Sequence, residues 1–156
     1  MPNYKSPIFS KLPKVGTTIF TKMSAMANKH DALNLSQGFP DFPIDPKLID
    51  CTLKAMKSGY NQYAPMPGLI GLREAIAEKI ENAYNIAYHP ETEITITSGA
   101  TQAIFTAIAA FVKEEDEVII FTPAYDCYQP AIELVGGKPV FVQLKSPDYK
   151  INWEEV

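Results

Sequence analysis

The sequence predicts an α/β fold, in which an N-terminal arm and a helix precede the start of a mostly parallel sheet covered by helices. Three short segments have the composition of strands: the alternating Ile-Thr stretch 93–97, the apolar run 117–121 and the segment 140–142. Helical stretches separate them, and right-handed crossovers turn this order into a parallel sheet. After the last strand, residues 152–156 predict the capped start of another helix.

The first 16 residues are predicted to form an arm. Residues 1–16 contain three prolines and no apolar periodicity, which indicates an extended conformation. A capping threonine, Thr17 or Thr18, predicts the start of the first helix, because apolar residues recur at helical spacing after it. The triplet 33–35 predicts a short strand, and the proline-containing stretch 36–43 predicts a rigid loop.

Two further helices are predicted before the first strand of the sheet. Asp45 is a good N-cap and is followed by a proline at the first helical position, and Ser58-Gly59 ends that helix. An aromatic loop with two prolines, 60–68, leads into the next helix. That helix starts near Ile70 and fades near Asn85.

Composition and charge limit the classes of function. The chain has 156 residues, 46% of them apolar and 21% charged, and a net charge of −4. Scattered lysines without a basic stripe argue against nucleic-acid binding, and no apolar run approaches the ~20 residues that a membrane helix needs. The N-terminus lacks the apolar core of a signal peptide. Cys51 and Cys127 fit a reduced, cytoplasmic protein, and the isolated His30 and His89 do not predict a metal site.

The turn between the first predicted strand and its helix can bind an anion. Gly99 has no Cβ, so the backbone can come close to a ligand, and the amides of Ala100, Thr101 and Gln102 are first-turn donors without helical partners. The helix dipole alone favours an anion there by roughly 0.3–1 kcal/mol. The alternative is that Ser98 or Thr101 merely caps the helix.

Tyr125 follows the next predicted strand. Ligands of parallel sheets collect at the carboxyl ends of the strands, so the turn at Gly99 and the ring of Tyr125 can together hold a phosphorylated planar ring. The alternative is that Tyr125 is a half-buried aromatic residue that only covers the end of the sheet.

Four stretches of the chain form an ordered set of motifs: Asn34–Asp41, Tyr60–Arg73, Thr97–Ala103 and Asp116–Asp126. Their order and spacing resemble those of the class I/II aminotransferases, which are pyridoxal-phosphate enzymes of fold type I. The resemblance extends over residues 17–156. The Gly-Phe-Pro-Asp loop and the Tyr-Asp-Cys-Tyr segment are most similar to the branch that holds methionine aminotransferases and kynurenine/glutamine transaminases.

The resemblance implies pyridoxal 5'-phosphate as the cofactor and a homodimer as the working unit. Gly99, Ala100 and Thr101 are expected to cradle the cofactor phosphate with their backbone amides. Tyr125 is expected to stack on the pyridine ring. The tyrosine that matches Tyr63 reaches across the dimer to the phosphate in this family.

On the substrate side, the resemblance implies that Gly38 lies against the carboxylate of an amino acid and that Phe20 helps to wall the side-chain pocket. The implied reaction moves the amino group of a methionine, aromatic or glutamine-like substrate to a 2-oxo acid, with ping-pong kinetics. Residues 1–44 are then expected to form part of the small domain and the active-site edge. Residues 45–156 are expected to form the first part of the cofactor-binding large domain.

The family also has functional residues that this sequence does not contain. The lysine that binds the cofactor, the aspartate beside the pyridine nitrogen, the asparagine near the ring oxygen and the carboxylate-binding arginine correspond to positions beyond residue 156. The single arginine, Arg73, falls in a motif in which it is expected to fix the joint between loop and helix. We therefore expect this chain to be a fragment of a larger enzyme and inactive by itself.

Two other functions fit parts of the sequence. A non-catalytic module of the same fold, kept for dimerisation or ligand sensing, is consistent with the absent lysine. A nucleotide-binding α/β domain is the second alternative. Its fingerprint is Gly-x-Gly-x-x-Gly after the first strand with an acidic residue some ~20 positions on, whereas the segment 98–101 has only one glycine.

Overall fold

Helices make up most of the regular structure. The computed structural model describes residues 9–38 and 40–156, so the first eight residues of the predicted arm and Phe39 of the predicted loop lie outside the described residues. The elements, in chain order, are α1 (Ile19–Lys29), α2 (Pro46–Lys57), α3 (Ile70–Tyr84), α4 (Ala100–Phe111), β1 (Glu117–Thr122), α5 (Tyr128–Leu134) and β2 (Lys138–Gln143).

The described residues divide into two compact units. The first unit combines the described residues up to Ser36 with Ser98–Val156, and it contains α1, α4, α5 and both strands. The second unit is Gln37–Thr97, with α2 and α3. The boundary between residues 44 and 45 stays a prediction.

The first unit is built on a parallel β1–α5–β2 crossover, as the sequence predicts. β1 and β2 pair in parallel, with Ile120 opposite Phe141 and Phe121 opposite Val142. α5 packs against both strands and against α4. Ile132 of α5 is fully buried, and Ile120 and Val142 of the strands are also buried. The predicted α/β fold with a parallel sheet is therefore confirmed.

Capping residues begin and end the helices where the sequence predicts. Thr18 caps α1, because its Oγ1 accepts a hydrogen bond from the Thr21 amide at 3.3 Å. Asp45 caps α2 through Oδ1, which accepts from the Lys47 amide at 2.8 Å. Asn85 ends α3 in the left-handed region, with φ 56°, a conformation that asparagine adopts more easily than most residues.

The first predicted strand is not formed. Residues 94–97 have no regular secondary structure, and the sheet contains β1 and β2 alone in the described part of the chain. A strand needs a neighbouring strand to receive its backbone hydrogen bonds. The Ile96 amide instead donates to the Pro67 carbonyl at 2.9 Å. The Ile-Thr alternation identifies an apolar face, but it does not supply the neighbour that pairing requires.

Two shorter predictions are also wrong. Residues 33–35 are not a strand, because Asn34 Oδ1 accepts hydrogen bonds from the Ser36 amide at 3.1 Å and from its hydroxyl at 2.6 Å, which turns the chain. The last residues of the chain form a turn and not the start of a helix. Asn152 stabilises this turn, because its Oδ1 accepts a hydrogen bond from the Glu154 amide at 3.2 Å.

The described helices are short. α3 has 15 residues, and no helix in residues 9–38 and 40–156 is long and apolar enough to cross a membrane. Within those same ranges, the His, Cys, Asp and Glu side chains form no cluster that could hold a metal ion.

Candidate functional site

The turn at Gly99 opens α4 in a conformation that few residues other than glycine adopt. Gly99 is the N-cap of α4, with φ 83° and ψ 167°, and this region of backbone space is essentially restricted to glycine. A Cβ atom at this position would meet nothing within 4 Å. The backbone therefore requires a glycine here, and the space beside the helix N-terminus is open.

The first-turn amides of α4 retain their capacity to donate. Those of Ala100, Thr101 and Gln102 have no hydrogen-bond acceptor among the described residues. In the same part of the chain, no side-chain hydroxyl caps α4, so the capping alternative for Ser98 and Thr101 is not observed. The Ser98 amide instead donates to Oε1 of Gln102, which closes the turn. The turn thus keeps the donors that an anion site needs.

Tyr125 lies three residues after the end of β1, at the carboxyl end of that strand. It is 48% exposed and meets Tyr128 edge to face, with ring centroids 6.0 Å apart and ring planes at 72°. Tyr125 and Phe141 both line an open cavity of 330 Å³. The ring is therefore supported on one side by Tyr128 while much of its surface stays accessible for stacking.

Helices α4 and α5 bring the two candidate segments into one neighbourhood. The helices pack side by side, and Thr101 in the first turn of α4 lines the same apolar groove as Cys127, the N-cap of α5. The groove has a volume of 210 Å³ and also includes Phe105 and Pro130. Tyr125 precedes Cys127 by two residues. The anion donors and the aromatic ring therefore belong to neighbouring elements of the first unit.

The remaining predicted site residues are divided between the two units. Phe20 is half-buried at the start of α1, in the first unit. Gly38 and Tyr63 are in the second unit, where a Cβ at Gly38 would meet nothing within 4 Å and Tyr63 is fully exposed. Open space at Gly38 suits a close carboxylate, and the exposed Tyr63 can contact a second chain. The roles of all three residues stay predictions.

Sequence reasoning missed the contact that Arg73 makes. Arg73 is buried in the second unit, and its Nη1 donates to the carbonyl oxygens of Pro90 at 2.9 Å and Glu91 at 3.3 Å. It therefore binds a segment 17 and 18 residues further along the chain, and not the loop before α3. The available signal was its helical spacing from half-buried Ile76 and Ala77, which places Arg73 on the apolar face of α3.

The two cysteines offer a pH-dependent test of the environment at the start of α5. Burial and, after it, the negative charge of Asp126 raise the pKa of the Cys127 thiol above its ordinary value, whereas Cys51 is exposed. Since the thiolate is the nucleophile, a raised pKa lowers the reactive fraction near neutral pH. We expect iodoacetamide to alkylate Cys127 several-fold more slowly than Cys51 at pH 8, with the difference narrowing as the pH rises through the pKa of Cys127.

Single-cysteine variants separate the two rates. Cys51→Ser reports on Cys127 alone, and Cys127→Ser reports on Cys51 alone. Faster alkylation of Cys127 than of Cys51 at pH 8 would contradict the partly buried, negatively charged environment.

Comparison with known proteins shows the family of this chain. The profile of the family described as "Aminotransferase class I and II" matches residues 30–156. The methionine aminotransferase of Escherichia coli (strain K12) is 50% identical over 146 residues, which cover 94% of this chain and 38% of that protein. Kynurenine–oxoglutarate transaminase 1 of Homo sapiens is 38% identical, over 77% of this chain and 29% of its own length. The chain thus spans less than two fifths of these curated relatives.

Solved structures agree with the sequence relatives. The structure of YbdL from Escherichia coli, reported with a methionine aminotransferase function, matches with a TM-score of 0.91 at 49% identity, over 96% of this chain and 39% of that one. N-succinyldiaminopimelate aminotransferase from Mycobacterium tuberculosis matches with a TM-score of 0.83 at 41% identity, over 91% of this chain and 37% of that one. The resemblance carried by the four sequence motifs is confirmed, and the chain belongs to the family of class I and II aminotransferases.

Proposed function

We propose that this chain is the N-terminal part of a pyridoxal-phosphate-dependent aminotransferase. The complete enzyme is a cytoplasmic homodimer that moves the amino group of a methionine, aromatic or glutamine-like amino acid to a 2-oxo acid. The observation that carries the proposal is the opening of α4, where Gly99 precedes three amides without an acceptor among the described residues. The 50% identity to a methionine aminotransferase supports methionine as an amino donor.

The first turn of α4 fits the phosphate of the cofactor. Gly99, Ala100 and Thr101 hold the phosphate in this proposal, since backbone amides and the positive end of the helix dipole both favour an anion. A Cβ atom on residue 99 would project into open space, and a phosphate in that space can approach the backbone only where the side chain is missing. The donor set thus suits a phosphate in both charge and room.

Tyr125 fits the pyridine ring. Offset stacking of aromatic rings contributes about 0.5–1.5 kcal/mol beyond the burial of area, and the edge contact with Tyr128 limits the tilt of the Tyr125 ring. When bound, pyridoxal phosphate supplies an electron sink for the charge that develops at the Cα of the amino acid. The residues of this chain bind and orient the cofactor, and none of them is assigned a proton-transfer role.

Three more residues have proposed roles in the complete enzyme. Tyr63, fully exposed on its loop, donates a hydrogen bond from its hydroxyl to the phosphate bound by the partner subunit of the homodimer. Gly38 lies against the substrate carboxylate, because its backbone is open to a ligand. Phe20, half-buried at the start of α1, forms part of the wall around the substrate side chain.

The apolar surface of the first unit supports a larger enzyme. Strands of parallel sheets are ordinarily covered on both faces. Ile119 and Phe141 in the strands are nevertheless 44% and 53% exposed, and Phe111 at the end of α4 is 82% exposed. Apolar surface of this kind usually marks an interface. In the proposal, the rest of the large domain covers it.

Transamination by the complete enzyme tests the proposed function. The full-length protein, incubated with pyridoxal phosphate, a 2-oxo acid acceptor and a panel of amino acids, is expected to release the 2-oxo acid of methionine faster than that of aspartate. Mass spectrometry of the products measures both rates. If no amino acid yielded its 2-oxo acid, the non-catalytic module would be favoured. A preference for aspartate would overturn the proposed substrate class.

The Tyr125 ring is expected to carry the stacking contact, and its hydroxyl is not. In the complete enzyme, Tyr125→Ala should weaken pyridoxal phosphate about tenfold, because the stacking energy and the buried ring area are both lost. Tyr125→Phe should change the affinity by less than about twofold, since it keeps the ring and its edge contact with Tyr128. Titration followed by absorbance gives both affinities.

A second exposed tyrosine serves as the control for the Tyr125 variants. Tyr84 is 73% exposed at the end of α3 and has no assigned role in cofactor binding, so Tyr84→Ala should leave cofactor affinity unchanged. If Tyr125→Phe were as damaging as Tyr125→Ala, the hydroxyl would be the contributing group and the stacking assignment would be wrong.

A further inference from the structure

Arg73 is a buried cation that has no carboxylate partner within the described residues. It is the one buried charged side chain in that part of the chain, at 7% exposure, and its Nη1 donates to the carbonyl oxygens of Pro90 and Glu91. Its Nε is buried and has no hydrogen-bond partner in the described chain. Burying a guanidinium without a counter-charge is costly, and its hydrogen bonds to the two carbonyls offset part of that cost. Here the bonds hold the start of the segment 90–97 against α3.

A second contact holds the same segment at Gly68, five residues before Arg73 in sequence. Gly68 is buried with φ 100°, and a Cβ atom placed on it would lie 2.4 Å from Cγ1 of Ile96. The neighbouring Pro67 carbonyl accepts a hydrogen bond from the Ile96 amide at 2.9 Å. Only a residue without a side chain permits this approach. The far end of the segment is therefore fixed to the end of the loop 60–68.

The loop 60–68 depends on contacts at its two ends. Tyr63 is fully exposed and Met66 is 97% exposed, so the tip of the loop gains no packing of its own. At one end, the Asn61 side chain donates to the Met56 carbonyl at 2.9 Å. At the other end, the loop is held by its contact with Ile96. The position of Tyr63 therefore depends on where the segment 90–97 lies.

We propose that Arg73 and Gly68 are positioning residues that hold the loop of Tyr63 in place for cofactor binding. Arg73 fixes the start of the segment 90–97 on α3, and Gly68 lets the end of that segment seat against the loop. This clamp, defined as Arg73, Gly68 and the segment 90–97, lies wholly within the second unit. The inference rests on the proposed function, because it gives the clamp a role in the pyridoxal-phosphate site.

Hydrogen exchange tests the clamp without any cofactor. In the complete enzyme prepared as the apoprotein, Arg73→Met and Gly68→Ala are each expected to speed exchange of the Ile96 amide by at least tenfold. The matched controls are Lys79→Met, an exposed cation on the same helix, and Gly71→Ala, where a Cβ would meet nothing within 4 Å. Both controls should leave this amide unchanged. Unchanged exchange of Ile96 in Arg73→Met would overturn the clamp.

A double-mutant cycle tests whether the clamp acts through Tyr63. Cofactor affinity is measured for the wild type, Tyr63→Phe, Arg73→Met and the double variant. If Arg73 positions the loop, Tyr63→Phe should cost at least threefold less in the Arg73→Met background than in the wild type. A residue that only stabilises the fold would give additive losses, and additivity would overturn the proposal.

A conservative variant keeps the cycle informative if Arg73→Met folds poorly. Arg73→Lys retains a cation that can donate to one of the two carbonyls, and it is expected to recover most of the lost affinity. Failure of the proposed function has a different signature, because the wild type itself would then take up no pyridoxal phosphate while Ile96 exchange still responded to Arg73→Met.

Discussion

Gly99→Asp is expected to abolish cofactor binding by the complete enzyme, with a loss of affinity of about a hundredfold or more. The φ and ψ of Gly99 fall in a region that costs a residue with a side chain about 1–3 kcal/mol. A carboxylate about 4 Å from the phosphate adds a repulsion of roughly 1–4 kcal/mol, depending on how much water lies between the charges. Fluorescence titration with pyridoxal phosphate measures the loss.

Two variants separate these contributions at Gly99. Gly99→Asn has nearly the shape of aspartate without its charge, so it is expected to lose about tenfold, mostly from backbone strain. Gly71→Asp adds the same charge to an exposed glycine with open surroundings, and it should bind the cofactor normally. If the Asp and Asn variants at position 99 both bound the cofactor with nearly wild-type affinity, the assignment of the phosphate to this turn would be wrong.

Tyr63 is expected to act across the dimer, so that each site depends on a tyrosine from the other subunit. The Tyr63→Phe homodimer should bind pyridoxal phosphate about 10–100-fold more weakly, because one hydrogen bond to a charged group is lost, which is worth about 1.5–3 kcal/mol. Mixed dimers then locate the tyrosine. One subunit carries Tyr63→Phe, and the other carries Gly99→Asp.

The arrangement of the two lesions gives opposite results for the two geometries. If Tyr63 acts in trans, the intact phosphate cradle (residues 99–101) of the Tyr63→Phe subunit receives the normal Tyr63 of the Gly99→Asp subunit. Half of the sites in the mixed dimer then bind the cofactor with wild-type affinity. If Tyr63 acts in cis, that cradle keeps its own phenylalanine and no site is normal. Placing both lesions on one subunit opposite a wild-type subunit reverses the expectation, which makes this second dimer the matched control. A normal site in the control, and none in the first dimer, would refute the crossing.

Local signals predicted the helices well, because helix ends are set by residues close in sequence. The cap by Thr18 and the Asp45-Pro46 start are both present. The parallel pairing of β1 with β2 was equally predictable, because the crossover that joins the two strands lies between them in sequence. The conformation of the segment 93–97 could not be predicted in this way, because strand pairing depends on a neighbour that is distant in sequence. An alternating pattern does not identify that neighbour.

The same contrast between local signals and contacts distant in sequence applies to the candidate site. The turn at Gly99 and the tyrosine after β1 were visible as a glycine before a helix and an aromatic residue after a strand. The hydrogen-bond acceptors of Arg73 could not be predicted from the sequence, because they are the backbone carbonyls of Pro90 and Glu91. Every residue has a backbone carbonyl, so the residue type does not reveal which one accepts. A buried arginine without an acidic partner can be found only once burial is known.

Reductive labelling of the complete enzyme tests the central claim most directly. After incubation with pyridoxal phosphate and reduction with borohydride, peptide mass spectrometry locates the lysine that becomes attached to the cofactor. We predict one labelled lysine per subunit, outside residues 1–156, and no stoichiometric label on the 156-residue chain treated alone. A label on a lysine within residues 1–156, or no label in a folded complete enzyme, would contradict the account of this chain as the cofactor-cradling part of an aminotransferase.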